Sequence, residues 1–211
     1  EAKQYMKLNK EPVIIGHEFC GEIIEVGAKW KHKYSQGERF VIQPALNYKG
    51  SLDAPGYSYK FIGGDAQYII IPNEVMETDN LLKYNAKSYF LGSLSEPMSC
   101  IIGAFKASYH TEMGSYVHNM GTKPNGKMIV LAGCGPMGLG AIDYALNGLE
   151  NPPSLLVVTD IDDEKLAYAK KQFSSNKTQI IFINSSFTSS GTCTSISFSC
   201  NSFTNSPTLL R

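Results

Sequence analysis

The chain has 211 residues, with 19 Lys and Arg against 19 Asp and Glu, so its formal net charge is zero. Balanced charge removes the electrostatic attraction that nucleic acids and anionic membrane surfaces exert on basic proteins. No apolar run approaches the roughly 20 residues that a membrane-spanning helix needs. We therefore expect a soluble protein of one or two globular domains, with neither a nucleic acid nor a membrane as its partner.

The five cysteines are dispersed along the chain, at Cys20, Cys100, Cys134, Cys193 and Cys200. The absence of a C-x-x-C pair argues against a disulfide framework and a thiolate zinc lobe, and favours a reducing compartment such as the cytoplasm. Cys20 and Cys100 are predicted to be buried apolar side chains. Because residue 1 is Glu rather than Met and no signal segment opens the chain, the sequence is predicted to begin inside a longer protein.

Short β-branched runs bounded by Gly and Pro dominate residues 1–94. They occupy residues 12–16, 22–26, 40–43 and 66–71. Runs of this length and spacing are typical of strands in an all-β barrel or sandwich. The stretch 47–59 has little apolar periodicity and is predicted to be a long surface loop. Residues 1–94 are therefore predicted to form a β domain.

Residues 95–184 have a different pattern. A helix is predicted from Ser95, which serves as its cap, with Pro97 in the first turn, where a missing N–H costs nothing. Residues 110–126 are rich in Gly and Pro and are predicted to be a linker or insertion. Strands then alternate with helices, in the order strand 127–132, helix 137–146, strand 155–159, helix 163–173 and strand 179–183. This alternation predicts a parallel sheet with right-handed crossovers.

The segment Gly133-Cys-Gly-Pro-Met-Gly138 matches G-x-G-x-x-G and lies between a predicted strand and a predicted helix. In that setting the first glycine permits a tight turn, the second lets the backbone approach a pyrophosphate, and the third lets helix and strand pack closely. The residues predicted to bind a dinucleotide here are Gly133, Gly135, Pro136, Met137 and Gly138. Residues 95–184 are accordingly predicted to be the first half of a Rossmann domain.

Asp160 ends the second strand of this unit, 22 residues after Gly138. An acidic residue at this place binds the ribose hydroxyls in such domains. Its charge would repel a 2′-phosphate, and no Arg follows it closely, so NAD is favoured over NADP. The alternative is that Asp160 only caps the helix beginning near Asp163, a role that Asp162 could fill equally well.

The last 28 residues, from Asn184 to Arg211, contain 14 Ser or Thr and a single charged residue. Such a segment has too little apolar surface to offset the entropy lost on ordering. Residues 185–211 are therefore predicted to be a low-complexity tail, either disordered or translated out of frame. The second origin is favoured, because further strands ought to follow an incomplete sheet.

A second motif is Gly16-His-Glu-Phe-Cys-Gly21, which with Gly27 follows G-H-E-x-x-G-x-x-x-x-x-G. By composition alone, a His beside a Glu is most often a surface pair. However, further segments follow in the same order, at residues 37–42, 64–72, 95–97 and 133–138. Together they resemble the zinc-dependent medium-chain alcohol and polyol dehydrogenases over residues 11 to about 184. Within that family the likeness is to sorbitol dehydrogenase-like enzymes, especially sorbose-1-phosphate reductases.

The resemblance implies an α/β protein, with a GroES-like β-barrel catalytic domain followed by a partial Rossmann sheet. It implies one catalytic Zn²⁺ held by His17, with Glu18 and Glu96 as ligands or close neighbours of the ion. It implies no structural four-cysteine zinc site, since residues 45–60 contain no Cys. Neighbouring strand residues point to opposite faces, so His17 and Glu18 can share an ion only if the chain bends near Gly16.

The implied activity is hydride transfer between NAD(H) and a small polyol, ketose or ketose phosphate, in a cytoplasmic homo-oligomer. The family's thiolate ligand and its proton-relay Ser or Thr lie upstream of residue 1. No proton-relay residue is therefore assigned, and this chain alone is expected to fold poorly and to have little activity. Two alternatives stay open. The first is a zinc-free quinone reductase of the same fold, although the G-H-E and Ser-Glu-Pro segments argue against it. The second is an inactive nucleotide-binding fragment.

Overall fold

The computed structural model describes residues 12–186. Contacts between residues divide the chain into two units, residues 1–122 and 123–211. The predicted boundary between residues 94 and 95 differs from this division, because the helix that begins at Ser95 packs against elements of the first unit. Of the predicted tail, only Ser185 and Ser186 belong to the described residues.

The first unit contains an antiparallel sheet with the strand order β1-β2-β3. The strands are β1 (Cys20–Glu22), β2 (Arg39–Ile42) and β3 (Leu81–Lys83). Cys20 pairs with Val41 across the first ladder, and Ile42 pairs with Leu81 across the second. Three of the four residues of the central strand β2 are buried, which agrees with the strand predicted at residues 40–43.

The strands predicted at residues 12–16 and 66–71 are wrong, because the structure has no strand there. Single backbone hydrogen bonds hold these stretches instead, such as Gly64 N–H to Gly16 O at 2.7 Å and Ile70 N–H to Phe61 O at 2.9 Å. The prediction at 22–26 overlaps β1 only at Glu22. Short antiparallel strands depend on distant pairing partners, which a local pattern does not reveal.

The α-helices described within residues 12–122 are α1 (Asn73–Glu77), α2 (Tyr89–Ser93) and α3 (Ser95–Ala107). α3 confirms the helix predicted from Ser95, and Pro97 is buried in its first turn. Ser95 is not the cap, however: Leu94 holds that position without a side-chain hydrogen bond. The predicted linker 110–126 includes one arm of a small hairpin, formed by β4 (Tyr109–His110) and β5 (Asn119–Met120).

The apolar core of the first unit includes β2, the start of β3 and α1. Its buried side chains include Phe40, Ile62, Val75 and Leu81. Tyr34 is buried among them and donates its hydroxyl to Leu81 O at 2.6 Å, so its polar end is satisfied. This core fixes the sheet from which the loops carrying the candidate site extend.

The second unit contains a parallel sheet with the order β6-β7-β8. Its elements are β6 (Lys127–Val130), α4 (Pro136–Asp143) with a π-helical continuation over Tyr144–Gly148, β7 (Leu155–Asp160), α5 (Asp163–Gln172) and β8 (Gln179–Asn184). This order confirms the predicted alternation. β6 was predicted to be buried, yet its residues alternate between exposed and half-buried. Among the described residues β6 pairs only with β7, which is paired on both edges and has five of six residues buried.

Cys20, Cys100 and Cys134 are free thiols in the part of the chain that the structure describes. Cys20 is half-buried, Cys134 is buried, and Cys100 is exposed, so the prediction that Cys100 is buried was wrong. Among residues 12–186, no helix combines the length and the apolar character needed to cross a bilayer.

Candidate metal and dinucleotide sites

The backbone bends at Gly16, directly before two of the predicted metal ligands. Gly16 has a φ of +89°, in the left-handed region that favours glycine. Neither His17 nor Glu18 lies in a strand, so their side chains are not forced to opposite faces. His17 Nε2 lies 3.9 Å from Glu18 Oε1. The bend that a shared ion requires is therefore present.

Glu96 joins this pair from the first turn of α3. Its Oε2 lies 3.9 Å from His17 Nε2. One ligand atom from each of His17, Glu18 and Glu96 lies within 4.8 Å of the other two. The Glu96 side chain is 12% exposed, whereas that of Glu18 is 50% exposed. The structure thus brings all three predicted metal residues together within the first unit.

This cluster has the donor set that zinc requires, and its ligand atoms, all within 4.8 Å of one another, are farther apart than around a bound ion. Zinc binds imidazole nitrogen and carboxylate oxygen at about 2.0–2.2 Å, which separates tetrahedral ligand atoms by about 3.4 Å. The two distances from His17 to the carboxylates exceed that separation by only about 0.5 Å. Within residues 12–186 no Lys or Arg pairs with Glu18 or Glu96, so a divalent cation would balance their charge. The three residues fit a metal ion with a position left open.

Two further side chains contact the cluster, and no motif pointed to either. The Tyr57 hydroxyl lies 2.8 Å from His17 Nε2, and the two ring centroids are 4.4 Å apart. Cys100 donates its thiol to Glu96 Oε1 at 3.3 Å. The spacing of four residues between Glu96 and Cys100 on a predicted helix could have revealed the second contact. Tyr57 lies 40 residues from His17, in a predicted loop, and carries no such local signal.

Both of these neighbours are held in their protonated form. Burial raises the pKa of the Tyr57 hydroxyl, and the negative charges of Glu96 and Glu18 add to this effect. Although Cys100 is exposed as a residue, partial desolvation of its thiol raises the pKa, and the hydrogen bond to Glu96 adds to this effect. At neutral pH the cluster is therefore bordered by a protonated phenol and a protonated thiol.

In the second unit, the glycine loop combines close packing with one open position. A Cβ on Gly138 would lie 2.2 Å from Gly133 O, and a Cβ on Gly133 would lie 2.9 Å from the side chains of Val130 and Val158. Around Gly135, by contrast, no described atom lies within 4 Å of the Cβ position. This is the division of roles that a pyrophosphate-binding loop needs.

One detail of the predicted turn differs from the structure. Gly133 has no positive φ; the left-handed residue is Ala132, with a φ of +50°. The first glycine is therefore required for side-chain space rather than for its backbone conformation.

The loop leads into the first turn of α4, for which Gly135 is the N-cap and Pro136 the first residue. Leu139 N–H donates to Gly135 O at 2.8 Å. The N–H groups of Met137 and Gly138 precede that bond and have no acceptor within the helix. Together with the positive end of the helix dipole, they form an environment that favours a phosphate.

Asp160 lies buried at the end of β7 and is hydrogen-bonded to the glycine loop. Its Oδ2 accepts from Cys134 N–H at 3.0 Å. Its Oδ1 accepts from Ile161 N–H at 2.9 Å and from Asp162 N–H at 3.2 Å. These bonds, led by that from Cys134, hold the pKa of Asp160 below its usual range.

Asp160 does not cap the helix α5, which was the alternative role predicted for it. Asp162 caps α5, and its side chain accepts from the N–H groups of Glu164 and Lys165. A carboxylate offers about four acceptor positions, and Asp160 uses three of them within the protein. Binding of ribose hydroxyls by Asp160 stays a prediction.

Comparison with known proteins identifies relatives of the chain. Residues 2–79 match the alcohol dehydrogenase GroES-like domain. Over 170 residues the chain is 55% identical to L-sorbose 1-phosphate reductase of Klebsiella pneumoniae, covering 81% of this chain and 41% of that protein. Over 163 residues it is 48% identical to mannitol-1-phosphate 5-dehydrogenase of Aliivibrio fischeri, covering 77% and 38%.

A solved structure agrees with these relatives. The crystal structure of 2R,3R-butanediol dehydrogenase from Bacillus subtilis is 25% identical to the chain, with a TM-score of 0.58, and the match covers 84% of this chain and 46% of that one. The chain thus contains an alcohol dehydrogenase GroES-like domain, and over about four fifths of its length it is similar to sugar-phosphate reductases and dehydrogenases. It spans about two fifths of the length of the curated dehydrogenases that it matches.

The first unit also contains a cavity of about 680 Å³. Apolar side chains such as Phe19, Trp30, Phe40 and Ile69 line it. None of the three residues of the metal cluster contributes to its wall. The cavity is therefore separate from the candidate metal site.

Proposed function

We propose that the protein is a zinc-dependent oxidoreductase that transfers a hydride between NAD(H) and a polyol or ketose, including the phosphates of these sugars. The observation that carries this proposal is the cluster of His17, Glu18 and Glu96, whose ligand atoms lie within 4.8 Å of one another. The names of the relatives support the substrate class, since one is a sorbose phosphate reductase and another a mannitol phosphate dehydrogenase.

His17 Nε2 and the carboxylates of Glu18 and Glu96 would hold the metal. When bound, Zn²⁺ supplies Lewis-acid chemistry: it favours loss of the alcohol proton during oxidation and polarises the carbonyl oxygen during reduction. Glu96 is the better-oriented carboxylate, because it is nearly buried and its other oxygen accepts from Cys100. Glu18 is half exposed, so it can bind the ion directly or through a water molecule.

The glycine loop would hold the dinucleotide, which supplies the hydride acceptor or donor. Gly135 leaves room for the pyrophosphate, and Met137 and Gly138 offer their N–H groups to it. Pro136 fixes the first turn of α4 without removing a donor that the helix needs. The negative charge of Asp160 favours NAD over NADP.

Metal analysis and zinc titration of the purified chain test this proposal. We expect one zinc per chain, and Glu96→Gln should lower the zinc affinity about tenfold or more. Glu25→Gln is the matched control, since Glu25 is exposed and lies outside the cluster. Equal zinc affinity in all three proteins would contradict the metal site and favour the zinc-free alternative.

Activity is tested separately, by NADH oxidation with a ketose or ketose phosphate. We expect zinc to be required for any turnover and NADPH to be the poorer donor. Since this chain alone is expected to have little activity, the decisive assay uses the longer protein in which it is predicted to lie. There, binding of NADH without turnover of any such substrate, after loading with zinc, would favour the inactive nucleotide-binding alternative.

A further inference from the structure

We propose that Tyr57 is a positioning residue of the metal centre, whose hydroxyl occupies His17 Nε2 until a divalent cation displaces it. This inference rests on the proposed metal-binding function of His17. It assigns a role to a residue that lies in no motif.

The Tyr57 hydroxyl and a divalent cation compete for the same atom, His17 Nε2. His17 Nε2 is 2.8 Å from the Tyr57 hydroxyl and 3.9 Å from one oxygen each of Glu18 and Glu96. An imidazole nitrogen has one in-plane position, which holds either a proton or a lone pair. Whether Nε2 donates to the hydroxyl or accepts from it, it cannot keep that bond and also bind a cation.

The turn that carries Tyr57 is held firmly against the backbone before His17. Tyr57 N–H donates to Ala54 O at 3.1 Å, and Ser58 Oγ accepts from Ala54 N–H at 2.9 Å. A Cβ on Gly56 would lie 2.3 Å from Gly16 O, so the two backbones are in direct contact. The hydroxyl is thus placed on Nε2 by the fold and does not arrive there by rotation of an exposed side chain.

The effect of the Tyr57 hydroxyl can be measured apart from that of the Tyr57 ring, because the ring makes its own contact with His17. The His17 and Tyr57 rings are tilted by 30° with their centroids 4.4 Å apart. Tyr57→Phe keeps this contact and removes only the hydrogen bond. A hydrogen bond of this kind changes an equilibrium by about two- to tenfold, so the variant should bind Zn²⁺ about two- to tenfold more tightly.

Titration of the full chain with Zn²⁺, in competition with a chromophoric chelator, measures this difference. Tyr48→Phe is the matched control, because its hydroxyl also makes a hydrogen bond of 2.8 Å, to Glu77, which lies outside the cluster. We expect tighter binding in Tyr57→Phe and unchanged binding in Tyr48→Phe. Equal or weaker binding in Tyr57→Phe would overturn the inference.

A second readout does not depend on metal. In spectra of the metal-free chain with ¹⁵N-labelled histidine, the Nε2 resonance of His17 should shift in Tyr57→Phe and stay unchanged in Tyr48→Phe; an unshifted resonance in Tyr57→Phe would contradict the contact.

The variant His17→Ala distinguishes failure of the proposed metal site from failure of the inference about Tyr57. If His17→Ala binds zinc as well as the unmodified chain, the metal site and this inference both fail. If binding needs His17 but is not tighter in Tyr57→Phe, only the inference fails.

Discussion

Asp160 Oδ2 accepts a hydrogen bond of 3.0 Å from the backbone N–H of Cys134. The contact joins the carboxyl end of β7 to the second residue of the glycine loop. The other oxygen of Asp160 accepts from the two N–H groups that follow it in the chain. The residue predicted to bind ribose therefore also fixes the shape of the loop predicted to bind the phosphates.

This contact makes stability depend on pH in a definite direction. The three bonds favour the charged form and lower the pKa of Asp160 in the folded state, whereas the unfolded value is about 3.9. The stabilisation is therefore fully present above about pH 4–5 and is lost as the pH falls through the folded pKa. Urea unfolding should show that Asp160→Asn is destabilised at pH 7 and that its difference from the unmodified chain shrinks towards pH 3. A difference that is constant over this range would contradict the role of the charge.

Asp160 also offers a test of cofactor choice. Asp160→Ala should weaken NADH binding about ten- to hundredfold, as expected for loss of a hydrogen bond to a charged group. NADPH binding should fall less, because removing the carboxylate also removes its repulsion of the 2′-phosphate. Calorimetric titration with both cofactors measures the ratio. Equal losses for both would indicate that Asp160 acts only through the shape of the loop.

The second unit could be predicted almost completely from local patterns. Each strand from β6 to β8 contains an apolar run of three or four residues. Asn151-Pro-Pro-Ser154 and the glycine motif mark the breaks between elements. The strands of the first unit could not all be predicted in this way. The partner strand β3, at Leu81–Lys83, is only three residues long, and its position depends on pairing with residues some forty positions earlier. A run that short has no measurable period.

The candidate metal site shows the same limit. His17, Glu18 and Glu96 were found by resemblance to known motifs, and the structure adds the bend at Gly16 that lets the first two meet. The contact of Tyr57 with His17 depends on the folding of a loop without periodicity. Such contacts follow from tertiary packing and leave no trace in local sequence.

The glycine loop predicts opposite effects for two similar substitutions. Gly138→Ala places a Cβ 2.2 Å from Gly133 O, so it should destabilise the protein by about 1–3 kcal/mol. Gly135→Ala meets no atom within 4 Å and should leave the unfolding free energy within about 1 kcal/mol, while its methyl group obstructs the pyrophosphate. Urea unfolding and NADH titration of both variants separate the two roles. Unchanged NADH binding in Gly135→Ala would show that the open position does not face the cofactor.

Gly56 and Gly50 provide a matched test of the close approach beside the metal cluster. Both have a positive φ, +76° and +80°, so alanine at either position costs about 1–2 kcal/mol in backbone strain. Only at Gly56 does the added Cβ meet backbone, 2.3 Å from Gly16 O; at Gly50 it meets nothing within 4 Å.

Gly56→Ala should therefore be less stable than Gly50→Ala by a further 1–3 kcal/mol or so, as measured by urea unfolding. Its zinc affinity should also fall, because the clash displaces the backbone that positions His17. In Gly50→Ala the zinc affinity should stay unchanged despite the loss of stability, since Gly50 lies outside the cluster. Equal stability and equal zinc affinity in the two variants would show that the turn at Gly56 does not hold the metal cluster in place.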